Sequence, residues 1–284
     1  MRGNKNLHGI SCVACMLLNA VSALAQGADA FGYDDYAKVL SAHVNDRGEV
    51  NYKGLKADRG DLDRFIQRLG ALKPQVYQRW GAQAKIAFWS NAYNAITLKY
   101  IIDAYPIPKG GFIASLRYPA NSIRQIDGVW DAKTTRVMGK PTTLDAIEHE
   151  ILRKQFNEPR IHMAIVCASA GCPFLRNEPY AADKLDRQLK EQSQKFLSSP
   201  DKFRMQLQGD KQGIYLSPIF NWFGEDFIKS YAPPSGFDRY NETEQAALNF
   251  VRRHLDKKKQ PRFNGLLDKP IYWLDYDWSL NEQR

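Results

Sequence analysis

Cysteine is scarce in this chain, and what there is falls unevenly. The 284 residues contain four cysteines: Cys12, Cys15, Cys167 and Cys172. The first two lie in a leader-like stretch, so the rest of the chain keeps one closely spaced pair. A disulfide scaffold is therefore excluded, because such folds replace a core with many bridges. No paired C-x2-C occurs, which removes the recognised zinc-finger spacings. No G-x-S-x-G elbow surrounds Ser169. After residue 25 no apolar run approaches the roughly 20 residues that span a bilayer. Low-complexity linkers, internal repeats, long acidic blocks and nucleic-acid-binding motifs are also missing.

What is present begins with "MRGNKNLHGISCVACMLLNAVSALA". Arg2 and Lys5 precede an apolar stretch from Ile10, and Ala23-Leu24-Ala25 fits a small-residue cleavage site. Residues 1–25 read as a secretory signal peptide. Cys15 sits too early for a lipid-anchored cysteine, inside the apolar run. The expectation is an exported protein, periplasmic or secreted, with no transmembrane segment after removal of the signal. The whole chain carries +9 at pH 7, and the leader holds two basic residues and no acid, leaving +7. This basic balance admits anionic envelope components as partners, although ordinary solvated lysines account for it equally. The run "RRHLDKKK" (252–259) reads as a helix C-terminus, where cations favour the dipole.

The remaining stretch, 26–284, is long enough for a full core and reads as a single domain. Helices are expected at 33–43, 56–70 and 74–82, with a turn at Gly48. The strongest pattern is 82–104, where Ile86, Trp89, Tyr93, Ile96 and Tyr100 line one face and Phe88, Ala95, Leu98 and Ile102 the other. A helix apolar on both sides is usually buried in the middle of a protein. A hairpin is expected within "GVWDAKTTRVMGK", a capped helix at 142–154 and a strand at 160–167. Further helices are expected at 182–198 and 243–256, another broken near Gly224, and strands at "GIYLSP" and 271–280. The class is α+β: a helix-rich domain whose buried central helix packs on a small, mixed or antiparallel sheet.

Two features break the apolar patterns. Asn91 and Asn94 stand three apart on the central helix, where an unpaired buried amide costs about 1–3 kcal/mol. Either they bond to neighbouring loop backbone, or one points into a pocket as an orienting or oxyanion donor. On the 142–154 wheel Glu148 falls inside the apolar stripe with His149 beside it. A carboxylate so placed needs a cation or donor; Arg153, Arg160 and His162 are the candidates.

"FWSNAYNAITL", "LDAIEHEILR", "RIHMAIVCASAGCP", "LSPIFNWFGEDF" and "YDWSLN" occur in this order. Together they resemble the domain of unknown function 547 family, from about Tyr36 to Asn281. The resemblance implies that Asn91, Asn94, Glu148, His149, His162, Cys167 and Cys172 are family-typical positions. It supplies no activity, substrate or cofactor.

Three chemistries fit "RIHMAIVCASAGCPFLR". Cys167 and Cys172 can form a short disulfide, as an oxidising compartment favours. The pair with His149 and His162 offers a four-ligand metal set, in a spacing that matches no known motif. Alternatively, Cys172 is a nucleophile. Pro173 suits the first position of a helix, which would place the sulfur at an N-cap where its thiol pKa falls. His162 or His149 would then take the proton, Glu148 would orient the ring, and Asn91 or Asn94 would polarise the carbonyl. Ser169 and Arg160 are expected nearby as substrate contacts. The expected function is a thiol-dependent hydrolase or acyl transferase acting on peptide or amide bonds of the envelope, without a cofactor. Its alternatives are a non-catalytic binding or scaffold module with a Cys167–Cys172 bridge, and a His/Cys metal-binding protein. The binding module would use an aromatic groove of Trp130, Trp222, Tyr276 and Trp278. The ligand is an unspecified small molecule or peptide; nucleic acid is not expected.

Overall fold

The 23 residues Ala82–Ala104 form one uninterrupted helix, buried on nearly every side from Ile86 to Ile102. Tyr105 and Pro106 end it, since proline has no N–H to continue the ladder. A computed structural model describes residues 31–283; the leader, 1–25, lies outside them. Among the described residues no helix is long and apolar enough to cross a membrane.

The central helix packs against helices Tyr52–Ala57 and Gly60–Ala71 and against segment Ala146–Leu152. It meets the hairpin β1 (Thr135–Val137) and β2 (Lys140–Thr142) where the Tyr100 hydroxyl and Thr135 Oγ1 lie 3.0 Å apart. Met138 and Gly139 both have positive φ, 51° and 77°, as a two-residue hairpin turn requires. A second sheet has the order β3 (Phe203–Gln206), β4 (Gly213–Leu216), β5 (Ile271–Trp273). β3 and β4 run antiparallel and β4 and β5 parallel, so this small sheet is mixed. It shares a core with helices Leu185–Ser198, Gly224–Tyr231 and Glu242–His254. Phe220, Phe227 and Phe250 form its centre, with ring centroids 5.0 to 5.3 Å apart. The fold class is thus helix-rich α+β, with two small sheets among the described residues.

Four segments depart from expectation. Residues 160–167 are not a strand. Pro159–Met163 is a 3-10 helix whose N-cap is Glu158, its carboxylate accepting from Arg160 N–H. Residues 164–168 then carry neither helix nor strand and join neither sheet. Their backbone finds other partners: Asn94 Nδ2 donates to Ala164 O at 2.9 Å, and Val166 N–H donates to Asn94 Oδ1 at 2.8 Å. A side-chain amide does here what a neighbouring strand does elsewhere, so the Ile/Val content misleads.

Ala146–Leu152 is a π-helix rather than an α-helix. The Arg153 N–H reaches Glu148 O, five residues back. The segment is capped by Thr143, whose Oγ1 accepts from Ala146 N–H. Single π turns are frequent at functional sites, because they re-aim neighbouring side chains.

Finally, no helix follows Cys172. Pro173 begins an irregular stretch that reaches Ala181, so a helix dipole at the sulfur is ruled out. The strand expected at 271–280 has regular pairing only through Trp273. Beyond it the chain keeps its alternation and pairs with the cysteine loop: Gly171 N–H donates to Asp277 O and Ala170 N–H to Ser279 O. A Cβ on Gly171 would stand 2.9 Å from Asp277 N, so glycine permits this approach.

Candidate active site

A cleft of about 450 Å³ opens where the π-helix, the 3-10 helix, the cysteine loop and the C-terminal segment converge. Glu148, His149, His162, Cys167 and Cys172 all line it. Trp130, Trp222, Tyr276 and Trp278 form its aromatic wall. Three of these rings pack in series, with Tyr276 and Trp278 at 4.5 Å and Trp222 and Tyr276 at 4.9 Å. The expected aromatic groove and these five residues line the same cleft.

His162 is buried, and its ring stacks on Phe223 at 3.9 Å. Its Nε2 lies 2.8 Å from Asp226 Oδ2. An ionised carboxylate can only accept, so Nε2 carries the hydrogen and Nδ1 keeps its lone pair. Burial lowers the His162 pKa, with Asp226 opposing, so the ring is neutral near pH 7. Burial alone would raise the Asp226 carboxyl, but hydrogen bonds from His162 and Arg153 hold it well below the usual range. Arg153 Nε donates to the same Oδ2 at 2.5 Å.

His149 has the opposite tautomer. Arg153 Nη1 lies 2.9 Å from its Nδ1, and a guanidinium can only donate. Nδ1 therefore accepts, and Nε2 carries the hydrogen. Burial and the Arg153 charge lower its pKa, so His149 is also neutral. His149 is thus a donor rather than a base.

Glu148 is 8% exposed. Burial pushes its carboxyl up to about 7, against a hydrogen bond from Tyr93 and the charge of Arg153. Its partners are therefore Tyr93 and, through space, Arg153. Arg160 and His162 do not serve it. The expectation that Glu148 orients an imidazole fails as well, because Asp226 holds His162.

Cys167 and Cys172 stand at disulfide-bonding distance, with Cα atoms 6.3 Å apart. Two donors reach the Cys172 sulfur at 3.0 Å, the Cys167 N–H and the Tyr276 hydroxyl. Between the cysteines, Ala168 has a φ of 62°. This left-handed conformation costs a non-glycine residue roughly 1–2 kcal/mol, and such strain gathers at functional sites.

Four expected contacts do not belong to the cleft lining. Asn91 pairs with both backbone groups of Tyr180, donating to its O at 2.8 Å and accepting from its N–H at 2.9 Å. Asn94 does the same for Ala164 and Val166. Both amides serve as struts for the loops around the site, and neither offers an oxyanion donor within it. Arg160 binds Glu158 and Asp186 instead. Ser169 is buried, 1% exposed, and its backbone bridges to Leu280. Among the described residues no group of three or more His, Cys, Asp or Glu is arranged to hold a metal ion.

Asp226, Tyr93 and Arg124 also shape the site, and periodicity and motif spacing marked none of them as a site residue. Asp226 lies within "LSPIFNWFGEDF", where an acid among aromatics was the one available signal. Tyr93 read as core, and Arg124 carries no motif.

Residues 77–197 match a family model described as "Protein of unknown function, DUF547". The matched stretch holds Asn91, Asn94, Glu148, His149, His162 and both cysteines of the cleft, and it ends before Asp226 and the aromatic C-terminal segment. No curated protein and no solved structure matches the chain. Residues 77–197 thus belong to the DUF547 family, and the cleft is built around them.

Proposed function

We propose that the cleft is the active site of an exported, thiol-dependent hydrolase or acyl transferase acting on peptide or amide bonds of the cell envelope. One observation carries the reading. The Cys172 sulfur, with two aimed donors and its residue 4% exposed, lines the same cleft as a neutral imidazole that an ionised carboxylate holds in the base-competent tautomer.

A dithiol reductant first opens the Cys167–Cys172 link, freeing the Cys172 thiol. His162 Nδ1 takes the thiol proton, and the thiolate attacks the substrate carbonyl carbon. Asp226 stabilises the imidazolium that forms. The His149 Nε2–H supplies a donor toward the oxyanion. The tetrahedral intermediate collapses as His162 returns the proton to the departing amine, leaving a thioester on Cys172. Water or an acceptor amine then attacks that thioester and regenerates the thiol.

The test is alkylation with iodoacetamide after gentle reduction, at mildly acidic pH. One thiol, Cys172, is expected to react far faster than Cys167 and than either thiol in urea. Equal and slow labelling of both would sink the reading. The disulfide and the aromatic wall also favour a second reading, a non-catalytic binding module whose Cys167–Cys172 bridge is permanent. Under it, intact mass shows no alkylation without reductant, and the reduced protein has no unusually fast thiol. The exported location rests on the N-terminal segment. Protein recovered from its native cells is expected to begin at Gln26, and an intact Met1 terminus contradicts export by a cleaved signal.

A further inference from the structure

Arg124 brings the one lysine or arginine charge to the cleft lining, and the proposed chemistry leaves it unused. Arg124 lies in the 3-10 turn Ile123–Gln125, and its backbone is firmly held. Gln125 Nε2 donates to three carbonyls, those of Ala114, Tyr118 and Pro119, while Gln125 Oε1 accepts from Gly110 N–H. The Arg124 guanidinium carbon sits 4.2 Å from the Trp278 ring centre, 4.7 Å from Trp130 and 5.3 Å from Tyr118. Aromatic rings therefore take up its faces, and only the donor-bearing edge is left for polar partners. Among the described residues the guanidinium has neither an ion pair nor a hydrogen-bond acceptor, and its Nε is buried without a partner. A buried donor left unmade is costly, and such groups call for an explanation.

We propose that Arg124 is the carboxylate-binding subsite of this cleft, anchoring a substrate that carries a free carboxylate beside the bond attacked by Cys172. The inference deepens the thiol-dependent reading and rests on it. The planar fork matches a carboxylate through two parallel N–H···O bonds. Asp131, Asp145 and Glu148 also line the cleft, so a dianionic phosphate meets more repulsion there than a monoanionic carboxylate. The indole wall accepts an apolar or aromatic side chain next to the carboxylate. The substrate class that fits is a peptide or acylated amino acid with an exposed terminal or side-chain carboxylate.

The experiment is equilibrium binding to the full-length oxidised protein, read by tryptophan fluorescence from Trp130, Trp222 and Trp278. The probes are N-acetylphenylalanine, its amide, and inorganic phosphate. The acid is expected to bind at least about tenfold more tightly than the amide, as a charge-assisted bidentate pair permits. Arg124→Gln is expected to bring that ratio close to one, and Arg124→Lys to keep only part of it. A ratio near one in the unaltered protein overturns the inference without any variant. So does a preference that survives Arg124→Gln, or tighter binding of phosphate than of the acid. The assay needs no free thiol. An acid preference in a protein whose thiols react slowly leaves the subsite standing and removes the catalytic reading; a fast Cys172 without acid preference does the reverse.

Discussion

Glu148→Gln is expected to stabilise the folded protein at about pH 8 by up to about 3 kcal/mol, and to change it little near pH 4. Burial raises the carboxyl from 4.5 to about 7. Each tenfold change in proton affinity corresponds to about 1.4 kcal/mol between the two protonation states. Between about pH 4.5 and 7 the folded state holds a proton that the unfolded state has lost, so stability falls as pH rises through this window. Below it both states are protonated and nothing is lost. Above it the folded protein keeps an ionised carboxylate in a buried place. Glutamine removes that charge and retains an acceptor for the Tyr93 hydroxyl. Urea unfolding of both proteins at the two pH values measures the difference. A variant no more stable at pH 8 than at pH 4, relative to the unaltered chain, shows that the carboxylate is not strained. A group kept at such a cost in a cleft is the pattern of a functional acid, since stability there is given up for chemistry.

Asp226→Asn has the second large effect, on stability and reactivity together. Asp226 joins Arg153 to His162 where its own side chain is only 10% exposed. Removing one partner of such a pair leaves the remaining charge uncompensated, at a cost of roughly 3 kcal/mol near neutral pH. The depressed Asp226 pKa fixes the pH dependence. Its stabilisation is present above the carboxylate's unfolded value, near 4, and is lost as pH falls toward the folded one. The gap between variant and unaltered protein therefore narrows in acid, which chemical unfolding at about pH 3 and pH 7 can read. The amide also ceases to fix the His162 tautomer. Alkylation of Cys172 in the reduced variant is expected to slow at least about tenfold, as a correspondingly weaker base implies. A stability loss with unchanged alkylation means that Asp226 is a structural counter-ion only.

The parts of the fold set by local periodicity were readable from the sequence. The central helix begins and ends where its apolar faces and the following prolines put it. The break before Gly224 is present too, where an added Cβ would meet Thr243. The alternation of Tyr272, Leu274, Tyr276 and Trp278 places those side chains on one face even where ladder pairing stops. What periodicity cannot show is a backbone satisfied by side chains. Residues 164–168 have strand composition, yet their hydrogen bonds go to Asn94 and to the chain near Asn281. The wheel at 142–154 rightly buried Glu148 but assumed an α-helix, and a π turn has no sequence signature of its own. The site was legible in outline through its histidines, cysteines and acid. The pairing of His162 with Asp226, 64 residues apart, depends on tertiary packing. So does the lack of an ion pair for Arg124 among the described residues.

The most direct test of a thiolate activated in this cleft is the pH dependence of Cys172 alkylation in reduced protein with Cys167 replaced by serine. The rate is expected to be near its plateau by about pH 6.5, well below the ordinary thiol value of about 8.5, and His162→Ala is expected to move the midpoint back toward that value. A midpoint near 8.5 in the folded protein, matching the same cysteine in urea, contradicts the proposed nucleophile.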